Sequence, residues 1–371
     1  METARVRVGL AGAGWVSGHH LQAWSALGDR AAVVAIADPD LTAAEARAAD
    51  FAIPAVYRNV EEMVGGVPLD ALDIAAPREH HVPICRFAAR HGLAVLCQKP
   101  LAPTLDEAES LVADVGGRIR LMVHENWRFR PHYRRIHAWL RAGRIGAVRT
   151  ATMSVLTSGL LPDPNADLPA LVRQPMLARL DRMLLMEVLI HHVDTMRFLL
   201  GPLTLDAARL GRSCDAIRGE DRAALMLTAG ALPDAVPVHD RSTYLLRRGG
   251  STADDAPLFV ADGAAVSIIG DFMAHGRPPQ QMDRLEIYGT DGAILLRGDR
   301  LRLVGPSEQS LALDLAADYQ ASYRGAIAHF LDRLADGAPF ETGPDDNLKT
   351  LAIVEQAYRI AEWNSGRTHP P

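Results

Sequence analysis

Lysine is nearly missing from this chain of 371 residues. Of 39 basic residues only Lys99 and Lys349 are lysines, and the other 37 are arginines. A chain that takes its surface cations from arginine keeps a lysine where a compact, rotatable ammonium does what a planar guanidinium does not. Lys99, in Leu-Cys-Gln-Lys-Pro just after an apolar strand, is the candidate for such a role, and Lys349 reads as a leftover surface lysine. Cysteine is scarce too. Cys85, Cys97 and Cys214 lie far apart, an odd count at no metal spacing, which excludes a disulfide framework or a zinc site and suits a reducing cytoplasm. No stretch approaches the ~18 uninterrupted apolar residues of a membrane-spanning helix. The most apolar one, 183–200, is broken by Glu187, His191, His192, Asp194 and Arg197. Neither sign of charge dominates: 39 basic residues face 45 acidic ones, for a net charge of −6. That leaves no footprint for nucleic acid or an anionic membrane. The N-terminus has no charged region followed by an apolar core and a cleavage site, so secretion is not expected.

What is present is ordinary globular material, 48% apolar and 23% charged. At roughly 150 residues per domain the length suggests two domains. The first 123 residues alternate short apolar strands (5–11, 33–37, 69–75, 93–97, 119–123) with helical patterns (16–27, 41–49, 81–91, 105–115). That alternation argues for an α/β unit with a parallel sheet covered on both faces. From 124 onward the pattern changes. A helix is expected over 131–142, a strand from 148, and a proline-rich loop over 160–180. A strong helix follows over 180–200, stopping at Gly201-Pro202. Strands with turns at Gly249-Gly250, Asp291-Gly292 and Gly298-Asp299 fill 203–305. Helices over 319–336 and 345–364 precede a frayed tail at 366–371. Strands in succession suggest an antiparallel or mixed sheet. The expected division is a dinucleotide-binding domain over 1–123 and a substrate-binding and oligomerisation α+β domain over 124–371.

The first strand runs into Gly12-Ala13-Gly14-Trp15-Val16-Ser17-Gly18. The first glycine permits a tight turn and the second lets the backbone approach a pyrophosphate, which sits on the N-terminus of the next helix. Ser17 occupies the third fingerprint position, small enough for packing and with a hydroxyl within reach of a phosphate. Asp38 ends the second strand, 26 residues after Gly12, where a carboxylate accepts hydrogen bonds from a ribose. It repels a 2′-phosphate, so the expected cofactor is NAD rather than NADP. Trp15 is placed to flank the nicotinamide, while Trp127 and Trp139 read as core.

Glu187, His191 and Asp194 fall at i, i+4 and i+7 of the 180–200 helix, on one face. Burying three ionisable groups is costly unless they pair or act. The reading is a general base, His191, with carboxylates that tune it and hold substrate hydroxyls. Paired histidines (His19-His20, His80-His81, His191-His192) do not make a metal site, since neighbours on a helix point about 100° apart. His20 and His81 read as helix anchors near the cofactor. Arg128 is expected either to bind substrate or to form a structural ion pair.

These motifs together resemble the glucose–fructose oxidoreductase / inositol dehydrogenase / rhizopine catabolism family of dinucleotide-dependent oxidoreductases. The resemblance rests on Gly12, Gly14, Ser17 and His20, on Pro77 to His81, on Gln98-Lys99-Pro100, and on Glu187, His191 and Asp194. Arg128-Phe129 and the strand over 284–296 also fit, so the likeness spans nearly the whole chain. It implies an N-terminal Rossmann domain, a C-terminal domain built on a large open, mostly antiparallel sheet, and an active site in the cleft between them. It implies homodimers or homotetramers formed through the open sheet faces. The family's catalytic lysine falls on Lys99, its histidine on His191 and the acid one turn earlier on Glu187. Asp194 and Arg128 fall to the substrate; Gly12, Gly14, Trp15, Val16, Ser17, Asp38, Ala76, Pro77, His81, Gln98 and Lys99 fall to the cofactor. Gln98 stands where the family usually has glutamate, and Leu189-Ile190 add bulk before His191. The expected activity is NAD-dependent oxidation of a secondary alcohol of a sugar, cyclitol or sugar derivative. Two alternatives are a tightly bound NAD used transiently in glycoside cleavage or sugar transhydrogenation, and a non-catalytic NAD-responsive binding protein.

Overall fold

The computed structural model describes residues 5–115, 117–230 and 260–363; the turn expected at Gly249-Gly250 and the tail at 366–371 lie outside the described residues. The chain divides into two compact units, Met1–Pro131 with Ala316–Leu351, and His132–Leu315 with Ala352–Pro371.

The first unit is a doubly wound Rossmann fold. Strands β1 (Val6–Ala11), β2 (Ala31–Ala37), β3 (Ala55–Tyr57), β4 (Ala71–Ile74), β5 (Ala94–Gln98) and β6 (Leu121–His124) form one parallel sheet in the order β3-β2-β1-β4-β5-β6. Strands this apolar need cover on both sides. Helices α1 (Trp15–Ser25), α2 (Leu41–Phe51), α3 (Val60–Gly66), α4 (His81–Arg90) and α5 (Leu105–Val115) connect them. The five expected strands are all present. β3 and α3 carry too few residues for a readable period. Strand order reverses between β1 and β4, so the crevice beyond their carboxyl ends is the fold's usual ligand position. One face is completed from far along the chain. Helix α9 (Leu315–Asp336) packs Tyr323, Ile327 and Phe330 into a core with Val8, Trp24, Leu96 and Met122. Each large side chain so buried contributes about 1.5–3 kcal/mol.

The second unit holds an eight-stranded sheet in the order β14-β13-β12-β11-β7-β10-β9-β8. Its strands are β7 (Val148–Leu156), β8 (Leu203–Gly211), β9 (Arg222–Ala229), β10 (Val260–Asp271), β11 (Asp283–Gly289), β12 (Ala293–Arg297), β13 (Arg300–Val304) and β14 (Gln309–Ala312). Among the described residues of this sheet only β7 and β10 pair in parallel. Alternation along β9 turns Ala223, Leu225, Leu227 and Ala229 inward and leaves Met226 outside, the pattern of a sheet covered on one face. The proline-rich stretch 160–180 is less irregular than expected. It contains helix α7 (Pro169–Arg173) and a 3₁₀ turn (Pro175–Arg179), each opened by a proline, because proline at a first helical position loses no hydrogen bond.

The helix expected as continuous over 180–200 is not. Residues Leu184–Leu189 form a π-helical turn, and only Ile190–Leu200, α8, is α-helical. A buried acid from outside the helix caps its start. Glu220 accepts the backbone N–H of Leu185 at 2.8 Å and of Met183 at 3.2 Å, so these groups are held by a side chain. The wide turn lies against β10 so closely that a Cβ on Gly270 would come within 2.8 Å of Leu189.

Candidate active site

In the first unit the glycine turn behaves as its residue types demand. Gly12 has φ +108°, and a Cβ there would lie 2.6 Å from the Ala75 carbonyl oxygen, so no other residue fits. At Gly14, by contrast, a Cβ would meet nothing within 4 Å. Gly14 is also the N-cap of α1 and supplies no capping side chain. An open glycine at an uncapped helix N-terminus fits a pyrophosphate by shape and by dipole. Asp38 takes the Ala13 N–H on one oxygen (2.7 Å) and the Asp40 N–H on the other (2.8 Å). Each oxygen keeps lone pairs for ribose hydroxyls. Asp40 caps α2 through Ala43.

Three of the expected residues have local partners of their own. Ser17 is fully buried and its hydroxyl donates to the Gly14 carbonyl at 2.6 Å, so its one proton points into the turn rather than toward a phosphate. Trp15 is 46% exposed, with its ring edge-on to His19 at 4.7 Å. Arg128 is buried, its guanidinium 2.8 Å from Asp346 and 3.3 Å from the Glu341 carbonyl. Of its two expected roles the ion pair is formed here. The sequence reading passed over Arg47, whose Nη2 lies 3.4 Å from the Gly14 carbonyl. It is a cation beside the glycine turn, and only its offset of about two turns from the α2 cap hinted at it.

Lys99 leaves the end of β5 half-buried. The preceding Gln98 side chain accepts the Lys99 N–H at 2.8 Å. His81, at the start of α4, spans the Ala76 carbonyl (2.9 Å) and the Pro100 carbonyl (2.7 Å). His81 thus ties the loop after β4, with Ala76 and Pro77, to the loop after β5.

In the second unit the candidate residues Glu187, His191 and Asp194 sit where the π-turn passes into α8. Glu187, on the π-turn, is partly exposed; His191 and Asp194, on α8, are buried, with Asp194 3.8 Å from Arg197. π-turns recur at functional positions because they re-aim side chains within a helix. His192 points elsewhere, bonding the Val188 carbonyl through Nδ1 (3.1 Å) and Asp283 through Nε2 (2.9 Å). Tyr133 donates to the other Asp283 oxygen at 2.6 Å. Glu220, which no local pattern marked, seats the start of this segment. Burial pushes its carboxyl above the usual range, against hydrogen bonds from Tyr358 and the Leu185 N–H. Among the described residues no group of three or more His, Cys, Asp or Glu side chains could hold a metal ion, and no helix is long and apolar enough to cross a membrane.

A doubly wound sheet with an open glycine turn and an acid at the end of β2 defines a dinucleotide-binding protein. Comparison with known proteins gives the class its family. Residues 6–120 match the GFO/IDH/MocA oxidoreductase family's NAD-binding Rossmann fold, and residues 133–295 match its C-terminal domain. The chain is 33% identical over 367 residues to D-apiose dehydrogenase of Paraburkholderia graminis, covering 98% of this chain and 89% of that protein. It is 26% identical to inositol 2-dehydrogenase of Rhizobium meliloti, covering 96% and 97%. A crystal structure of an Agrobacterium radiobacter oxidoreductase in complex with NAD+, L-tartaric acid and magnesium superposes with a TM-score of 0.80 at 27% identity, over 97% of each chain. The chain belongs to the GFO/IDH/MocA family and is an NAD-binding oxidoreductase.

Proposed function

We propose that the chain oxidises a secondary alcohol of a sugar or cyclitol. The observation that carries this is Lys99. It is one of two lysines in the chain, and it stands half-buried at the carboxyl end of β5, with its N–H held by Gln98 and the carbonyl of the following Pro100 held by His81. NAD supplies the hydride acceptor when bound. Gly12, Gly14, Val16 and Asp38 hold its phosphates and ribose; Trp15, Ala76, Pro77, His81 and Gln98 line its nicotinamide side. Lys99 donates a hydrogen bond to the alcohol oxygen and stabilises the charge that develops there. His191 takes the hydroxyl proton, Glu187 tunes it, and Asp194 orients a neighbouring hydroxyl. General-base help of this kind is worth about 10²–10⁴ in rate.

The likeness to D-apiose dehydrogenase over almost the full chain puts aldoses first among substrates, with cyclitols second. The experiment is a panel of D-apiose, myo-inositol, other aldoses and polyols with NAD or NADP, read as reduced nicotinamide. Turnover of at least one sugar with NAD is the expected result. Copurified NAD that cycles without net release of reduced cofactor shifts the reading to transient oxidation, and no redox change with any substrate overturns both.

The same reading includes a homo-oligomer formed through the outward face of the eight-stranded sheet. Met226, Ile269 and Tyr288 are 51%, 44% and 41% exposed there. The strand register puts them on one surface with Thr152 and Glu286. Three free cysteines, all buried, suit the reducing cytoplasm in which we place the enzyme.

A further inference from the structure

Asp73 lies in the middle of β4, fully buried in a strand that is otherwise apolar. A carboxylate in such a place costs several kcal/mol unless it is paired and hydrogen-bonded. Its partners come from α1. Trp24 Nε1 donates to it at 2.7 Å, and His20 Nδ1 approaches its two oxygens at 2.8 and 3.0 Å. The other nitrogen of His20, Nε2, lies 3.0 Å from Gln98 Nε2.

The direction of every bond in this chain is determined. The Lys99 backbone N–H can only donate, so the Gln98 atom 2.8 Å from it is the amide oxygen. The Gln98 nitrogen is then the group that faces His20, and an amide nitrogen also only donates. His20 Nε2 therefore accepts, and Nδ1 carries the ring proton that Asp73 receives. The bonds Lys99→Gln98→His20→Asp73 all point one way and end on a buried carboxylate, an order in which each bond polarises the next. The ring of His124 lies over His20 at 4.3 Å, and Tyr323 meets it edge-on at 5.4 Å. Burial holds the Tyr323 hydroxyl far above its usual range, so it stays neutral.

We propose that Asp73, His20 and Gln98 form a positioning relay for Lys99, in which the His20 tautomer selects the Gln98 rotamer and that rotamer clamps the lysine backbone. The inference rests on the reading of Lys99 as the residue that contacts the reacting oxygen. It makes Gln98 a determinant in its own right. A glutamate there has no proton to give, so His20 would have to donate from both nitrogens.

The test uses the full chain with NAD and D-apiose, and ¹⁵N spectra of histidine-labelled protein in which His20 is assigned by its loss in His20→Asn. The relay requires Nδ1 protonated and Nε2 bare in the unmodified protein, and both nitrogens protonated in Gln98→Glu. Gln98→Leu should lower kcat, measured at saturating NAD, about 10–100-fold, the scale of a slightly misplaced catalytic group. A bare Nδ1 in the unmodified protein overturns the relay whatever the turnover. So does a Gln98→Leu variant that keeps kcat while Lys99→Ala loses it. Full turnover in Lys99→Ala overturns instead the reading on which the relay rests.

Discussion

The Tyr358 hydroxyl donates to Glu220 at 2.6 Å, and both groups are buried. The same carboxylate holds the N–H groups of Met183 and Leu185, so a tyrosine of the last helix, α10 (Pro344–Ile360), secures the segment that leads to Glu187 and His191. Tyr358→Phe removes a hydrogen bond to a charged group, worth about 1.5–3 kcal/mol. A lower urea midpoint is expected, together with a reduced kcat as the π-turn loosens. An unchanged midpoint would mean the bond carries no stability.

Asp38 should make NAD bind at least about tenfold tighter than NADP, a difference of about 1.4 kcal/mol. Asp38→Ser should narrow the gap while weakening the turn, because the Ala13 and Asp40 N–H groups lose their acceptor. Titration of both cofactors by fluorescence measures this, and equal affinities in the unmodified protein contradict the role.

His191 and His192 should separate cleanly. His191→Asn is expected to lose roughly 10²-fold or more in turnover and still bind NAD. His192→Ala leaves the buried Asp283 with only Tyr133 of its two named partners. It should cost about 1–3 kcal/mol of stability while turnover per folded molecule stays high. Alcohol oxidation needs the neutral His191 ring, so its rate should rise with pH, and the reverse reduction should fall. The opposite pattern, with His192 essential and His191 dispensable, would mean that the segment is phased differently.

Arg128→Met tests the role that the structure assigns to Arg128. Loss of the Asp346 pair should lower the unfolding midpoint with little change in substrate KM. A large rise in KM at unchanged stability would return Arg128 to the substrate.

Glu286 is held at a pKa of about 2, first by the Tyr288 hydroxyl, with Arg284 and Arg297 adding to it and burial opposing. Its value in the unfolded chain is about 4.3. A carboxyl lowered on folding adds stability above the unfolded value and loses it as pH falls toward the folded one. Urea midpoints at successive pH values should therefore drop between about pH 4 and pH 2, and the drop should be smaller in Glu286→Gln. Glu220 works in the other direction, because burial raises its carboxyl. Its contribution is fully present below the unfolded value and shrinks as pH rises through the folded one.

By itself the sequence determined what short-range patterns can encode. Near-continuous apolar strands between amphipathic helices specified the parallel sheet, and the offset from Gly12 to Asp38 placed the ends of β1 and β2. The scarcity of lysine singled out Lys99, and the spacing of Glu187, His191 and Asp194 put three ionisable groups on one short segment. Tertiary structure decided everything that depends on partners far apart in the chain. Asp73 meets His20 across 53 positions, and Gln98 meets His20 across 78. Glu220 reaches back 35 residues to Leu185 and caps the start of the π-helical segment. Arg128 finds Asp346 across 218 positions. The reason is physical. The cost of burying a polar group says that it must be paired, but no local period says with whom, and only the packed chain brings the partner within hydrogen-bonding distance.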